Sequence, residues 1–190
     1  MPNATLKRHK TSIAEYDALT EMGFFDGLSV ELIEGDIVEK MPQSENHAVV
    51  VALVSKVLGR AFSPDFHVRN QSPLALEDSK PEPDVAVVEG TERDYLASHP
   101  TTAVLVVEVA QTTLETDREI KSSLYAKAGI AEYWIVNLVE NQLEVRRQPV
   151  AMPSAVYGFG YSSILILQSG QTVSPLGASH AQIAIADLLP

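Results

Sequence analysis

The stretch that most restricts how this chain can fold is AVLVVEVAQ, residues 103 to 111, an apolar, valine-rich run interrupted by Glu108 near its C-terminal end. A run without polar alternation reads as a strand buried on both faces. An ionised carboxylate in such a strand is costly unless a cation, a metal or dense hydrogen bonding offsets its desolvation. Glu108 therefore demands a partner, and the flanking sequence offers several. Upstream, PEPDVAVV (81 to 88) opens another β-branched run with Asp84 at its mouth. Downstream, ETDREIKSSLYAKAG (115 to 129) predicts a helix, with Thr116 and Glu119 at capping-box spacing and Gly129 as the stop. Asp117, Lys121 and Tyr125 recur at every fourth residue, so they share one helix face. AEYWIVN (131 to 137) predicts the next strand, and strand, helix and strand together form a right-handed crossover with parallel strands.

The remaining elements follow from local patterns. SIAEYDALTEMG (12 to 23) predicts a short helix capped by Ser12 and Glu15, and SVELIEGDIVEKM (29 to 41) a hairpin folded at Glu34, Gly35 and Asp36. SENHAVVVALVSKVLGRAF (44 to 62) predicts the longest helix, capped by Ser44 and carrying a wide apolar face. FHVRN, SPLALE and NQLEVRR predict strands, and the tail from 148 holds one or two more, ending in a short turn or helix. With 190 residues, 45% of them hydrophobic, one domain over residues 1–190 is expected.

Composition excludes several classes. The absence of cysteine rules out disulfides and thiolate metal sites, and the five histidines show no metal-ligand spacing, which argues against a zinc hydrolase. No nucleophile-elbow pattern supports a serine hydrolase. The net charge of −11 argues against broad nonspecific binding to nucleic acid. Two basic clusters, Lys7, Arg8 and Lys10, then Arg146 and Arg147, read as solvated surface charge. The N-terminus lacks the apolar core of a signal peptide and no apolar run reaches membrane-span length, so a cytoplasmic, membrane-free protein is expected.

The ordered series VELIEGDIVEKMPQSENH (30 to 47), PEPDVAVV (81 to 88) and LVVEVAQTTLETDREIKSSLYAKAGIAEYWIVN (105 to 137) resembles the Uma-type family of putative restriction endonucleases, a branch of the PD-(D/E)XK nuclease superfamily. The likeness spans about residues 12 to 147. It implies an α/β restriction-endonuclease-like core, a central mixed β-sheet flanked by helices, with Mg²⁺ or Mn²⁺ at the strand ends. It also implies a nucleic acid substrate, DNA in the first instance; a homodimer is a further expectation. In this family the lysine usual two residues after the strand acid has moved onto the next helix; Ala110 stands at the first position and Lys121 at the second. Glu31 and His47 also match family positions, at the expected rim of the site. Asn137 and Gln111 depart from the pattern, where an aspartate and a small hydroxyl residue are usual.

These residue types suit phosphodiester hydrolysis. A hard divalent cation takes oxygen ligands and keeps several waters, so Asp84 and Glu108, with the Val109 carbonyl, are sufficient protein ligands. The metal supplies charge stabilisation and a nucleophilic water at neutral pH, and Lys121 orients that water or offsets phosphate charge. Asp117 and Tyr125 are supporting candidates. Singly, each residue has a plainer explanation: Asp84 opening a strand after Pro83, Glu108 in a structural salt bridge, Lys121 in a surface pair with Asp117. A catalytically inactive interaction module that keeps the fold is therefore the alternative to a metal-dependent endonuclease.

Overall fold

The computed structural model describes residues 9–62 and 64–190, so Lys7 and Arg8 of the first basic cluster lie outside the described residues. Its centre is a six-stranded mixed sheet in the order β3-β4-β5-β6-β7-β8, built from β3 (Phe66–Asn70), β4 (Val85–Glu89), β5 (Leu105–Ala110), β6 (Glu132–Asn137), β7 (Gln142–Ala151) and β8 (Phe159–Gln168). Only β5 and β6 pair in parallel; every other neighbour is antiparallel. The parallel pair is the expected crossover, and its connecting helix lies against one face. Alternation along β5 divides the core: Leu105, Val107 and Val109 join the cluster under helix α2 (Glu45–Ala61), whereas Val106 and Ala110 join Leu124 and Tyr125 on the opposite face. Glu108 stands on that second face.

The smaller elements pack around this frame. Helix α1 (Ile13–Glu21) starts with the expected Ser12–Glu15 capping box. Hairpin β1 (Val30–Ile33) and β2 (Asp36–Glu39) turns at Glu34 and Gly35, both at positive φ, and a Cβ on Gly35 would lie 2.7 Å from Lys10 Cβ. That is the backbone an I′-type turn requires. The tail adds short strands β9 (Thr172–Val173) and β10 (Ile183–Ala184) and packs Ile185 and Leu188 onto the α2 face of the sheet. Edge strand β8 carries no charged residue and leaves Ile164, Leu165 and Ile166 exposed.

Three expectations are corrected. SPLALE is not a strand: a single bridge joins Leu76 to Ser79, while Leu74 and Ala75 donate to the carbonyls of Pro81 and Pro100. Pro73, Pro81 and Pro83 remove the donors that a ladder there needs. The helix after β5 begins not at Thr116 but as α3 (Leu114–Thr116), passes through a π-helical turn (Asp117–Lys121) and continues as α4 (Ser122–Lys127). Thr116 has helical angles and cannot cap, so its predicted box with Glu119 does not form. Arg146 and Arg147 are not solvated surface charges: alternation on β7 sends them to opposite faces, Arg146 to buried Glu144 and Arg147 to fully buried Glu132. Gly129 stops α4 as expected, at φ +73°, with Ile130 N–H donating to the Tyr125 carbonyl.

Candidate active site

The antiparallel register pairs Val85 with Val107, and one residue further on it brings Asp84 opposite Glu108. The two acids lock each other through backbone donors. Asp84 N–H donates to Glu108 Oε2 at 3.0 Å, and Val109 N–H donates to Asp84 Oδ2 at 2.8 Å. His47, in the first turn of α2, places Nε2 3.0 Å from the same Asp84 oxygen, while its Nδ1 is buried with no hydrogen-bond partner among the described residues. The tautomer that donates from Nε2 leaves a bare acceptor at Nδ1, which is cheaper to bury than an unpaired N–H.

The helix face delivers the rest. Tyr125 Oη donates to Glu108 Oε1 at 2.8 Å, and Lys121 Nζ lies 3.7 Å from that oxygen. The nearer partner of Lys121 is Glu31, on hairpin strand β1, at 2.6 Å. Glu31 Oε2 also accepts from Glu82 N–H at 3.1 Å, so Glu31 is a buried junction and not a rim residue. Asp117 takes a 2.7 Å hydrogen bond from Thr113 Oγ1. These side chains, except Tyr125, line one cavity of about 180 Å³, closed over by Val38, Lys40 and Met41 of the hairpin.

Burial dominates the electrostatics. It drives the Glu108 carboxyl from 4.5 up to about 8, against the pull of Lys121 and with a further push from Asp84. Burial likewise raises Asp117 to about 6, only partly offset by the Thr113 hydrogen bond. For Lys121 burial acts downward, but Glu108 and Glu31 outweigh it and hold the ammonium above its ordinary value. Near neutral pH Glu108 therefore keeps its proton while Lys121 pairs with Glu31. Proton placement follows from geometry: Glu108 Oε2 faces a backbone N–H, so the proton resides on Oε1, beside a Tyr125 hydroxyl that can rotate to accept.

The donor set fits a hard divalent ion as two carboxylates and a carbonyl. No cluster of three or more His, Asp or Glu side chains among the described residues is arranged to hold a metal, but Mg²⁺ retains several waters and does not require one. Neither contact of Asp84 uses Oδ1, which leaves that oxygen for a ligand.

The sequence model of the family described as "Uma2: Putative restriction endonuclease" matches residues 13–186. The chain belongs to the Uma2 family. Among curated proteins no sequence match was found. A solved structure described as a putative nuclease belonging to DUF820, from Anabaena variabilis ATCC 29413, shares 17% identity with a TM-score of 0.63, covering 84% of this chain and 88% of that one. At that identity the likeness establishes the fold, the nuclease-type mixed α/β core. Uma2 membership supports a nuclease function. Among the described residues no helix is long and apolar enough to cross a membrane.

Some of the site escaped the sequence. Thr113, which orients Asp117, is signalled only by its i, i+4 spacing to that residue, and the Lys40–Glu82 pair at the cavity wall, at 2.9 Å, has no local signal at all. Of the two departures, Asn137 hydrogen-bonds Glu140 and Glu144, and Gln111 accepts from Ser44 Oγ at the start of α2; neither touches the two strand acids.

Proposed function

We propose that this protein is a divalent-metal-dependent nuclease that hydrolyses phosphodiester bonds, with Asp84 and Glu108, and the Val109 carbonyl, as ligands for Mg²⁺ or Mn²⁺. The observation that carries the reading is the reciprocal lock of two carboxylates on neighbouring central strands, with a buried lysine 3.7 Å from one of them. Such a metal supplies charge stabilisation on the phosphate and a water acidic enough to attack near neutral pH. The residues of this chain do the rest. Asp84 and Glu108 fix the ligand oxygens through backbone hydrogen bonds, so little reorganisation accompanies binding. Glu108 must release its Oε1 proton, and the Tyr125 hydroxyl then donates to the carboxylate formed. Lys121, steadied by Glu31, presents its ammonium to the attacked phosphate or the attacking water. His47 holds the Asp84 carboxylate in place, and Asp117 adds a nearby acid. The proposal extends to DNA as the first substrate to test, to a cytoplasmic setting and to a homodimer in solution.

A non-catalytic interaction module draws on the 2.6 Å Glu31–Lys121 pair, which closes the ion cluster on itself. The deciding assay incubates mixed single-stranded and double-stranded DNA with the protein and Mg²⁺ or Mn²⁺, beside calorimetric metal titration. Metal-dependent cleavage lost in Glu108→Ala supports the nuclease. Wild-type cleavage by Glu108→Ala refutes the site, and a wild type that neither cleaves nor binds metal favours the module.

A further inference from the structure

We propose that Tyr133 and Arg146, which stand outside the cavity, are positioning residues: they hold the π-helical turn Asp117–Lys121 that aims the lysine at the carboxylates. The proposal rests on the nuclease reading for its consequence in turnover.

Side chains at i, i+4 and i+8 drift by about 80° around an ordinary α-helix. Asp117, Lys121 and Tyr125 have this spacing, yet the first two line the cavity and the third reaches Glu108. The wider turn between Asp117 and Lys121 absorbs part of the drift. Such a turn is rare and needs support, because it disturbs the regular ladder of backbone hydrogen bonds. Here the Asp117 carbonyl accepts from Ser122 N–H, five residues on, and also from Tyr133 Oη at 3.1 Å. The Arg118 carbonyl accepts from Arg146 Nη1 at 3.3 Å, and the same nitrogen reaches Ser122 Oγ at 3.2 Å. Arg146 is itself held by Glu144 at 3.0 Å, and it is kept buried although its Nε finds no partner among the described residues. Both supports come from the sheet, Tyr133 from β6 and Arg146 from β7. They act on the backbone of the turn, whereas Glu31 acts on the lysine side chain.

The test compares Tyr133→Phe with Tyr161→Phe. Tyr161 belongs to the same buried cluster, but its hydroxyl donates to Ile130 O and touches neither the turn nor the cavity. Amide hydrogen exchange is read at residues 118–122, with Mg²⁺ binding by calorimetry and steady-state cleavage of DNA. Tyr133→Phe is expected to exchange faster across the turn and to lose kcat by ~10- to 100-fold, the scale of a small misplacement. Its KM and Mg²⁺ affinity should stay within about twofold of wild type, since the acids are untouched. Tyr161→Phe should match wild type in exchange at the turn and in kcat. If Tyr133→Phe does not fold, Arg146→Lys, which keeps the charge and loses the fork, is read the same way. Wild-type exchange and kcat in the turn variant overturn the proposal, as does an equal loss in Tyr161→Phe. Should the wild type cleave no nucleic acid, the nuclease reading falls, and the exchange comparison still decides whether Tyr133 holds the turn.

Discussion

Replacing Glu108 with glutamine should make the metal-free protein more stable, increasingly so as the pH rises from about 4.5 to about 8. The folded carboxyl titrates at about 8 where the ordinary value is 4.5, so between those limits the folded chain binds more protons than the unfolded one. Wild-type stability is then full below pH ~4.5 and falls as the pH rises through ~8. At 1.36 kcal/mol per pH unit the ceiling on this loss is roughly 5 kcal/mol. The attraction of Lys121, 3.7 Å away, is already contained in that value. Glutamine imitates the protonated acid: its oxygen faces Asp84 N–H and its amide donates to the Tyr125 hydroxyl, so the cost of a buried charge disappears. Urea unfolding with EDTA at about pH 5 and about pH 8.5 reads the difference through the midpoint at constant m. The two proteins should nearly coincide at the lower pH and diverge at the higher one. Curves that fall in parallel would refute the assignment of a raised carboxyl to Glu108.

The same proton opposes metal. Apparent Mg²⁺ affinity should rise with pH up to about 8, by at most tenfold per unit, and flatten above it, as calorimetry in buffers of different ionisation enthalpy will show. Asp84→Ala and Glu108→Ala should each abolish metal-dependent cleavage, whereas Lys121→Ala should keep most metal binding and lose turnover, which single-turnover kinetics separates. Lys121→Ala should also destabilise the fold, because Glu31 is left buried without its cation; a melting temperature equal to wild type would contradict this. Far from the cavity, Glu132→Ala leaves Arg147 only its Ser174 carbonyl partner and frees Leu176 N–H, and should cost about 3–5 kcal/mol by denaturation without altering Mg²⁺ affinity.

The parts legible in the sequence were those written in local pattern. Ser12 with Glu15, Ser44, the Glu34–Gly35 turn and the β-branched runs around Asp84 and Glu108 each specify an element by propensity or capping, and each formed. The Glu108 carboxylate in an apolar strand also announced that something must face it. What stayed hidden depends on pairing across long separations. Within SPLALE only Pro73 speaks against a strand, and it is compatible with an edge position; the facing segment, broken by Pro81 and Pro83, decides the matter. Arg146 and Arg147 look like a surface pair until β7 is seen to be covered by α4 on one face and by the tail on the other. Glu31 reads as the solvent side of a half-buried hairpin strand, and only docking of that hairpin turns it into the nearest partner of Lys121. The π-helical turn is likewise invisible locally, because its supports come from β6 and β7.

The chain separations at this site bear on how far the protein can be reduced. Asp84 and Glu108 meet across 24 residues, but Lys121 meets Glu31 across 90. Closing the longer loop adds only about 1 kcal/mol of entropy, since the cost grows with the logarithm of length. Connectivity is the greater constraint. A fragment from residue 81 to residue 137 would carry both acids and the lysine and would still lack Glu31, His47 and the hairpin that roofs the cavity. A minimal version cut around the motif would thus hold the lettering of the site without its assembly.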